Sequence, residues 1–123
     1  MAVRAIIDSD ILIDYLQGLE SARTELSRYP RREISIISWM EVMAGAESEE
    51  DEKSCHAFLS SFDVHPLSVE AAQEAVRIRK EFRMKLPDAI VWATARVAGC
   101  LLVTRNTKDF PKADPGVRIP YKA

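Results

Sequence analysis

Short runs of branched apolar residues recur along this chain, each a few positions long and each followed by a segment with helical spacing. That alternation leaves few architectures open. Residues 3–7 form the first run and read as a buried strand, and residues 10–17 follow with Ile11, Leu12, Tyr15 and Leu16 at helical spacing before Gly18. Residues 21–29 give a second helix, stopped by Pro30, and residues 34–37 a second strand. Ser38 opens a helix to about Ala44, and an acidic run over 47–53 enters another that continues through Phe62. Residues 64–67 are a third strand carrying Pro66, followed by a long helix over 68–83 capped by Ser68. A helix begins at Pro87 and Asp88 and stops at Gly99; residues 101–104 are the fourth strand, and 117–119 add a short closing one. The expected fold is α/β: a three-layer α/β/α sandwich on a mostly parallel sheet of four to five strands. At 123 residues it is expected to be one domain spanning 1–123.

Ligands of such folds bind beyond the carboxyl ends of the strands, and there the chain places acids. Asp8 closes the first strand, Glu41 lies in Ser38-Trp39-Met40-Glu41, Asp88 follows Pro87, and Asp109 stands in Thr104-Arg105-Asn106-Thr107-Lys108-Asp109. Each has an ordinary explanation. Ser38 and Glu41 have the spacing of a capping box, Asp88 suits a helix start, and Asp109 suits a turn. Asp8 resists such a reading, because Asp10 stands two positions on and a pair of carboxylates there costs stability unless something neutralises it. Converging carboxylates of this kind hold a hard divalent cation, which points to chemistry on a phosphate ester. Thr104 and Asn106 add polar groups at the end of the last core strand, and Asp14 reads as an exposed position of the first helix.

Net charge is −2, so an attraction to nucleic acid would need a local basic patch. Arg79 and Arg83, one helical turn apart just before Asp88, are candidates for contact with RNA phosphates, and Arg105 is placed for the same task; the bland alternative is a solvated helix face. Cys55 and Cys100 lack metal-ligand spacing, and His56 and His65 have no partners at ligand spacing. The apolar run at the start is cut by Arg4 and Asp8, which suits neither an export signal nor a membrane span. A reduced, cytoplasmic setting is expected.

Taken in order, Ile6-Ile7-Asp8-Ser9-Asp10-Ile11-Leu12-Ile13-Asp14, Ser38-Trp39-Met40-Glu41, Leu86-Pro87-Asp88-Ala89-Ile90-Val91-Trp92-Ala93-Thr94-Ala95 and Leu102-Val103-Thr104-Arg105-Asn106-Thr107-Lys108-Asp109-Phe110 resemble a PIN domain of the VapC toxin type. The resemblance covers nearly the whole chain. It implies an endoribonuclease dependent on Mg²⁺ or Mn²⁺, the toxin half of a toxin–antitoxin pair. Asp8, Glu41 and Asp88 match the family's three core acids, Asp109 its variable fourth, and Thr104 and Asn106 its supporting polar residues. All four acids are expected to be catalytic and to hold metal. Asp10 stands where family members usually have Asn, which adds a carboxylate near the metal. The implied partners are RNA, a cognate antitoxin and a second copy of the chain, with no membrane. Apolar side chains on the helices (Ile11, Leu12, Leu16 and Leu19, and those around Trp39 and Met43) are expected to give part of their surface to a partner.

Three rivals share features. A haloacid-dehalogenase-like phosphatase also has Asp-x-Asp after its first strand, but its downstream Lys and late acidic pair are missing here. A response-regulator receiver needs an acceptor Asp ending a central strand, where this chain has the solvated run Glu47-Ser48-Glu49-Glu50-Asp51-Glu52. A catalytically degenerate PIN-like module that binds without cutting is the non-enzymatic alternative.

Overall fold

The computed structural model describes residues 3–122. Five parallel strands form one sheet in the order β3-β2-β1-β4-β5. They are β1 (Ala5–Ile7), β2 (Glu33–Ser35), β3 (Asp63–His65), β4 (Leu101–Val103) and β5 (Val117–Arg118). Among the described residues six helices join β1 through β4, namely α1 (Ser9–Leu16), α2 (Glu20–Ser27), α3 (Ile36–Ala44), α4 (Glu49–Leu59), α5 (Val69–Phe82) and α6 (Leu86–Ala98), while a helix-free segment leads from β4 to β5. Helices on both faces bury β1 and β2 throughout, whereas the edge strand β3 stays largely exposed.

β1 shows how the layers divide. Its side chains alternate, so Ala5 and Ile7 join one core with Ile11, Leu12, Leu26 and Val42, while Ile6 joins the other with Ile78, Trp92, Leu102 and Phe110. α1 to α4 therefore cover one face, and α5 and α6 the other. β1 lies at the centre with its first and last residues beside Leu101 and Val103 of β4, and its Asp8 amide donates to Val103 O at 2.9 Å. The ends of β1 and β4 are thus fixed side by side. Gly99 joins α6 to β4 in a left-handed conformation (φ +69°) that a side chain would disfavour.

The expected alternation of strands and helices is present, with shifts at β2 and α3. Ile36 and Ile37 belong to α3 rather than to a strand. Ser35, not Ser38, caps that helix: its hydroxyl accepts from the Ile37 and Ser38 amides at 3.0 and 3.3 Å. Ser38 is buried inside the helix and its hydroxyl has no partner, so the capping box with Glu41 does not form. The helices over Ile11 and Leu12 leave neither residue to a partner, because both are fully buried. No helix among the described residues is long and apolar enough to cross a membrane.

Candidate active site

β1 delivers Asp8 at its carboxyl end, where the carboxylate also caps α1: Oδ1 accepts from the Ser9 amide at 2.8 Å. The other oxygen, Oδ2, accepts from the Thr104 hydroxyl at 2.8 Å, just past the end of β4. The same hydroxyl lies 3.2 Å from Oδ2 of Asp10, in the first turn of α1. Thr104 is fully buried, and its oxygen also accepts from the Asn106 amide at 3.1 Å. One hydroxyl proton thus stands between two carboxylates and satisfies one of them at a time.

Asp10 Oδ2 takes a second donor, the Arg105 amide at 3.2 Å, whereas its Oδ1 is buried without any partner. From α3, Glu41 Oε1 accepts the Ser9 hydroxyl at 3.1 Å, which ties that carboxylate to the start of α1. Asp88 sits in the first turn of α6, half-buried. Asp109 accepts the Asn106 side-chain amide at 2.9 Å, while its own amide donates back to Asn106 Oδ1 at 3.1 Å. Asn106 therefore fixes the fourth acid from both ends.

Electrostatics bind these acids into one site. Burial raises the pKa of Asp8 well above the ordinary carboxylate range, and Asp10 and Glu41 push it further, against the Thr104 and Ser9 hydrogen bonds. Burial likewise raises Asp10, opposed by the Arg105 and Ile11 amides. Asp88 is raised by burial, then by Asp109, Glu41 and Asp10, with Lys85 pulling the other way. Each expected acid is accordingly in the field of at least one other.

A divalent cation fits this donor set. The oxygens are hard, the groups repel one another, and Asp10 Oδ1 is a buried acceptor without a donor. Among the described residues, no three His, Cys, Asp or Glu side chains close around a common point tightly enough to hold a metal by themselves. Mg²⁺ does not require that, since it keeps several waters and takes one or two carboxylates together with substrate phosphate.

The expected basic residues are placed unequally. Arg79 and Arg83 are exposed at the end of α5, where Arg79 Nη1 donates to Met84 O at 2.9 Å and Arg83 takes a left-handed backbone, φ +56°. Arg105 does not stand free. Its Nε and Nη2 grip both oxygens of Asp14 at 2.5 and 3.0 Å. Asp14, expected on an exposed helix face, is only 6 % exposed and also accepts the Tyr121 hydroxyl at 2.8 Å. Arg105 holds its pKa below the usual carboxylate range, against burial and with help from Tyr121. Sequence spacing gives no role to Ser9 or Tyr121. For Asp14 a signal exists: it lies three residues after Ile11, on the face that α1 buries.

A family model described as PIN domain matches residues 5–115 of the chain. The chain belongs to the PIN domain family. This PIN domain is 31 % identical over 115 residues to Ribonuclease VapC10 of Mycobacterium tuberculosis, covering 86 % of this chain and 85 % of that protein. It is 29 % identical over 119 residues to Ribonuclease VapC1 of Rickettsia felis, covering 87 % and 88 %. Among solved structures it superposes on a chain from a toxin–antitoxin complex of Klebsiella pneumoniae with a TM-score of 0.90 and 42 % identity, over 97 % of this chain and 99 % of that one. FitAcB from Neisseria gonorrhoeae matches with a TM-score of 0.80 at 20 % identity, over 94 % of this PIN domain and 97 % of that chain, a likeness of fold alone. The resemblance in the motifs and the α/β architecture are both borne out.

Proposed function

We propose that this PIN domain is a divalent-metal-dependent endoribonuclease, the toxin of a toxin–antitoxin pair, working as a single domain over residues 1–123 in the cytoplasm. One observation carries the reading: Asp8, Asp10, Glu41, Asp88 and Asp109, delivered by four separate segments of the chain, share one electrostatic site at the carboxyl ends of β1 and β4. Its VapC relatives are named ribonucleases, and the Klebsiella match is a toxin–antitoxin complex.

Asp8, Glu41, Asp88 and Asp109 would hold Mg²⁺ or Mn²⁺, with Asp10 Oδ1 available as a further oxygen. When bound, such an ion supplies polarisation of a phosphate oxygen and acidification of a water for attack on phosphorus. Thr104 and Asn106 keep the carboxylates of Asp8 and Asp109 oriented, and Ser9 does so for Glu41. No side-chain nucleophile is needed.

RNA would be drawn in by a local basic rim, because the whole chain is slightly acidic. Arg79 and Arg83 are exposed beside the α6 start that carries Asp88, and Lys85 lies close enough to Asp88 to lower its pKa. Arg105 spends Nε and Nη2 on Asp14 and has Nη1 left for a phosphate.

The antitoxin would cover the acidic site with a basic side chain that neutralises the carboxylates and excludes the ion. Its apolar residues would seat in the cleft of about 330 Å³ bordered by Ile13, Leu16, Val42 and Cys55. Exposed Met40 and Leu19 offer apolar surface for a second copy of the chain.

The test is cleavage of total RNA by purified, antitoxin-free protein with Mg²⁺, with Mn²⁺ and with EDTA, beside folded Asp88→Asn. Cutting should require the ion and fall by about a hundredfold or more in the variant. Cutting that persists in EDTA or in Asp88→Asn would refute the assignment, and an RNA complex without any cutting would leave the binding module in its place.

A further inference from the structure

We propose that Asp14 and Tyr121 are positioning residues for the metal site: they lock Arg105 so that its backbone amide holds Asp10 in place. The inference rests on reading the acidic cluster as a metal-dependent nuclease site.

The chain of contacts is continuous. Tyr121, in the segment after β5, donates its hydroxyl to Asp14 Oδ2 at 2.8 Å. Arg105 grips the same carboxylate through two nitrogens. The Arg105 amide donates to Asp10 Oδ2 at 3.2 Å, and the preceding residue, Thr104, donates to Asp8. Arg105 follows β4, and the backbone bonds beside it, from the Thr104 amide to Arg118 O and from the Thr107 amide to Arg105 O, both 3.1 Å, leave its own amide outside any strand ladder or helix. The ion pair with Asp14 adds a side-chain constraint on that amide.

Stability alone gives a poor account of the arrangement. Asp14 occupies a buried position in an apolar helix, where Leu or Met would pack without desolvating a charge. A buried ion pair of this kind gains little stability over well-packed apolar residues, but it fixes geometry through two parallel hydrogen bonds. Tyr121 fixes it further: it is partly buried against the core that α1 shares, and its hydroxyl reaches the carboxylate that Arg105 holds. Asp10 Oδ1, buried and without a donor, is the atom whose placement this linkage governs. Outer partners of metal-ligating carboxylates characteristically change affinity or activity by about ten- to a hundredfold when removed.

The experiment measures Mn²⁺ binding by calorimetry, and kcat and KM for RNA cleavage, in the full chain and in Tyr121→Phe and Asp14→Asn. Tyr121→Phe removes one hydroxyl and keeps the ring; Asp14→Asn keeps the shape and removes the ion pair. Asp14→Asn should weaken Mn²⁺ binding by about tenfold or more and lower kcat with KM unchanged, excess Mn²⁺ restoring part of the rate. Tyr121→Phe should show a smaller loss in the same direction, and it decides the matter if Asp14→Asn fails to fold. Variants with wild-type Mn²⁺ affinity and kcat would overturn the proposal, as would a loss confined to KM, which would make Arg105 an RNA contact alone. A wild-type chain that neither binds Mn²⁺ nor cuts RNA would overturn the nuclease reading itself.

Discussion

Replacing Asp8 with Asn should stabilise the metal-free protein while abolishing cleavage. The Oδ2 atoms of Asp8 and Asp10 lie 2.8 and 3.2 Å from one hydroxyl, so they stand no more than about 6 Å apart. Two unit charges at that separation repel by roughly 3 kcal/mol at an effective dielectric of about 20. Asn in place of Asp8 removes that repulsion and the cost of burying a charge. It keeps an oxygen for the Ser9 amide and offers an N–H to the Thr104 oxygen. A net gain of about 1–3 kcal/mol follows once the weaker neutral hydrogen bonds are allowed for. The sign with pH is fixed by the raised pKa of Asp8, caused first by burial and then by Asp10. Between the ordinary value and the raised one, the folded chain holds a proton that the unfolded chain has released. Wild-type stability therefore falls as pH rises through that window and stays low above it. Urea unfolding in EDTA should show the largest advantage of the variant at pH 8 and a small one near pH 4. Added Mn²⁺ should raise the wild-type midpoint and leave the variant's where it was. An Asn variant less stable than wild type at pH 8, or an advantage that does not change with pH, would refute the reasoning.

Two further outcomes concern the scaffold. Glu25 is buried, yet Arg118, gripping both its oxygens at 2.7 and 2.9 Å, and Tyr29 outweigh burial and hold its pKa low. Arg118→Ala should cost about 2 kcal/mol at pH 7, less than a fully buried pair because Arg118 is one-third exposed (34 %). A depressed carboxylate contributes its stability above its unfolded pKa and loses it as pH falls through the folded one, so urea midpoints of the two proteins should converge in acid. Ser35→Ala should lose about 1 kcal/mol in thermal melts as the cap of α3 goes, whereas Ser38→Ala should lose none, because its hydroxyl has no partner to surrender.

The sequence carries the architecture where a period is long and its ends are punctuated. α6 runs from Pro87 beside its start to Gly99 after its end, as written in the residues. At β2 the same logic misleads: Ile36 and Ile37 look like strand, yet Ser35, not Ser38, supplies the hydroxyl that starts α3. Asp8, Asp88 and Asp109 were legible because acids at element ends in an α/β chain meet beyond the sheet, whereas Glu41, expected near a helix start, lies inside α3. Their neutral supports were partly legible, as with Thr104 and Asn106. The linkage through Asp14 was not: an acid in an amphipathic helix and a tyrosine among prolines gain their meaning only where Arg105 and Tyr121, 91 and 107 residues along the chain, meet on the Asp14 carboxylate. Glu33 was equally silent, although its buried carboxylate in β2 joins Arg4, just before β1, at 2.6 Å and His65 of β3 at 3.0 Å.

The pairing of β1 with β4 also sets an order in time. A ribosome delivers Asp8 first and Thr104 only 96 residues later, and the hydrogen bond between them cannot exist until both have emerged. A nascent chain that has folded β1, β2 and β3 therefore carries Asp8, Asp10 and Glu41 with neither Asp109 nor the amide of Arg105 beside them. The acids become one site only after β4 and the segment carrying Asp109 have emerged, when that segment closes on β1.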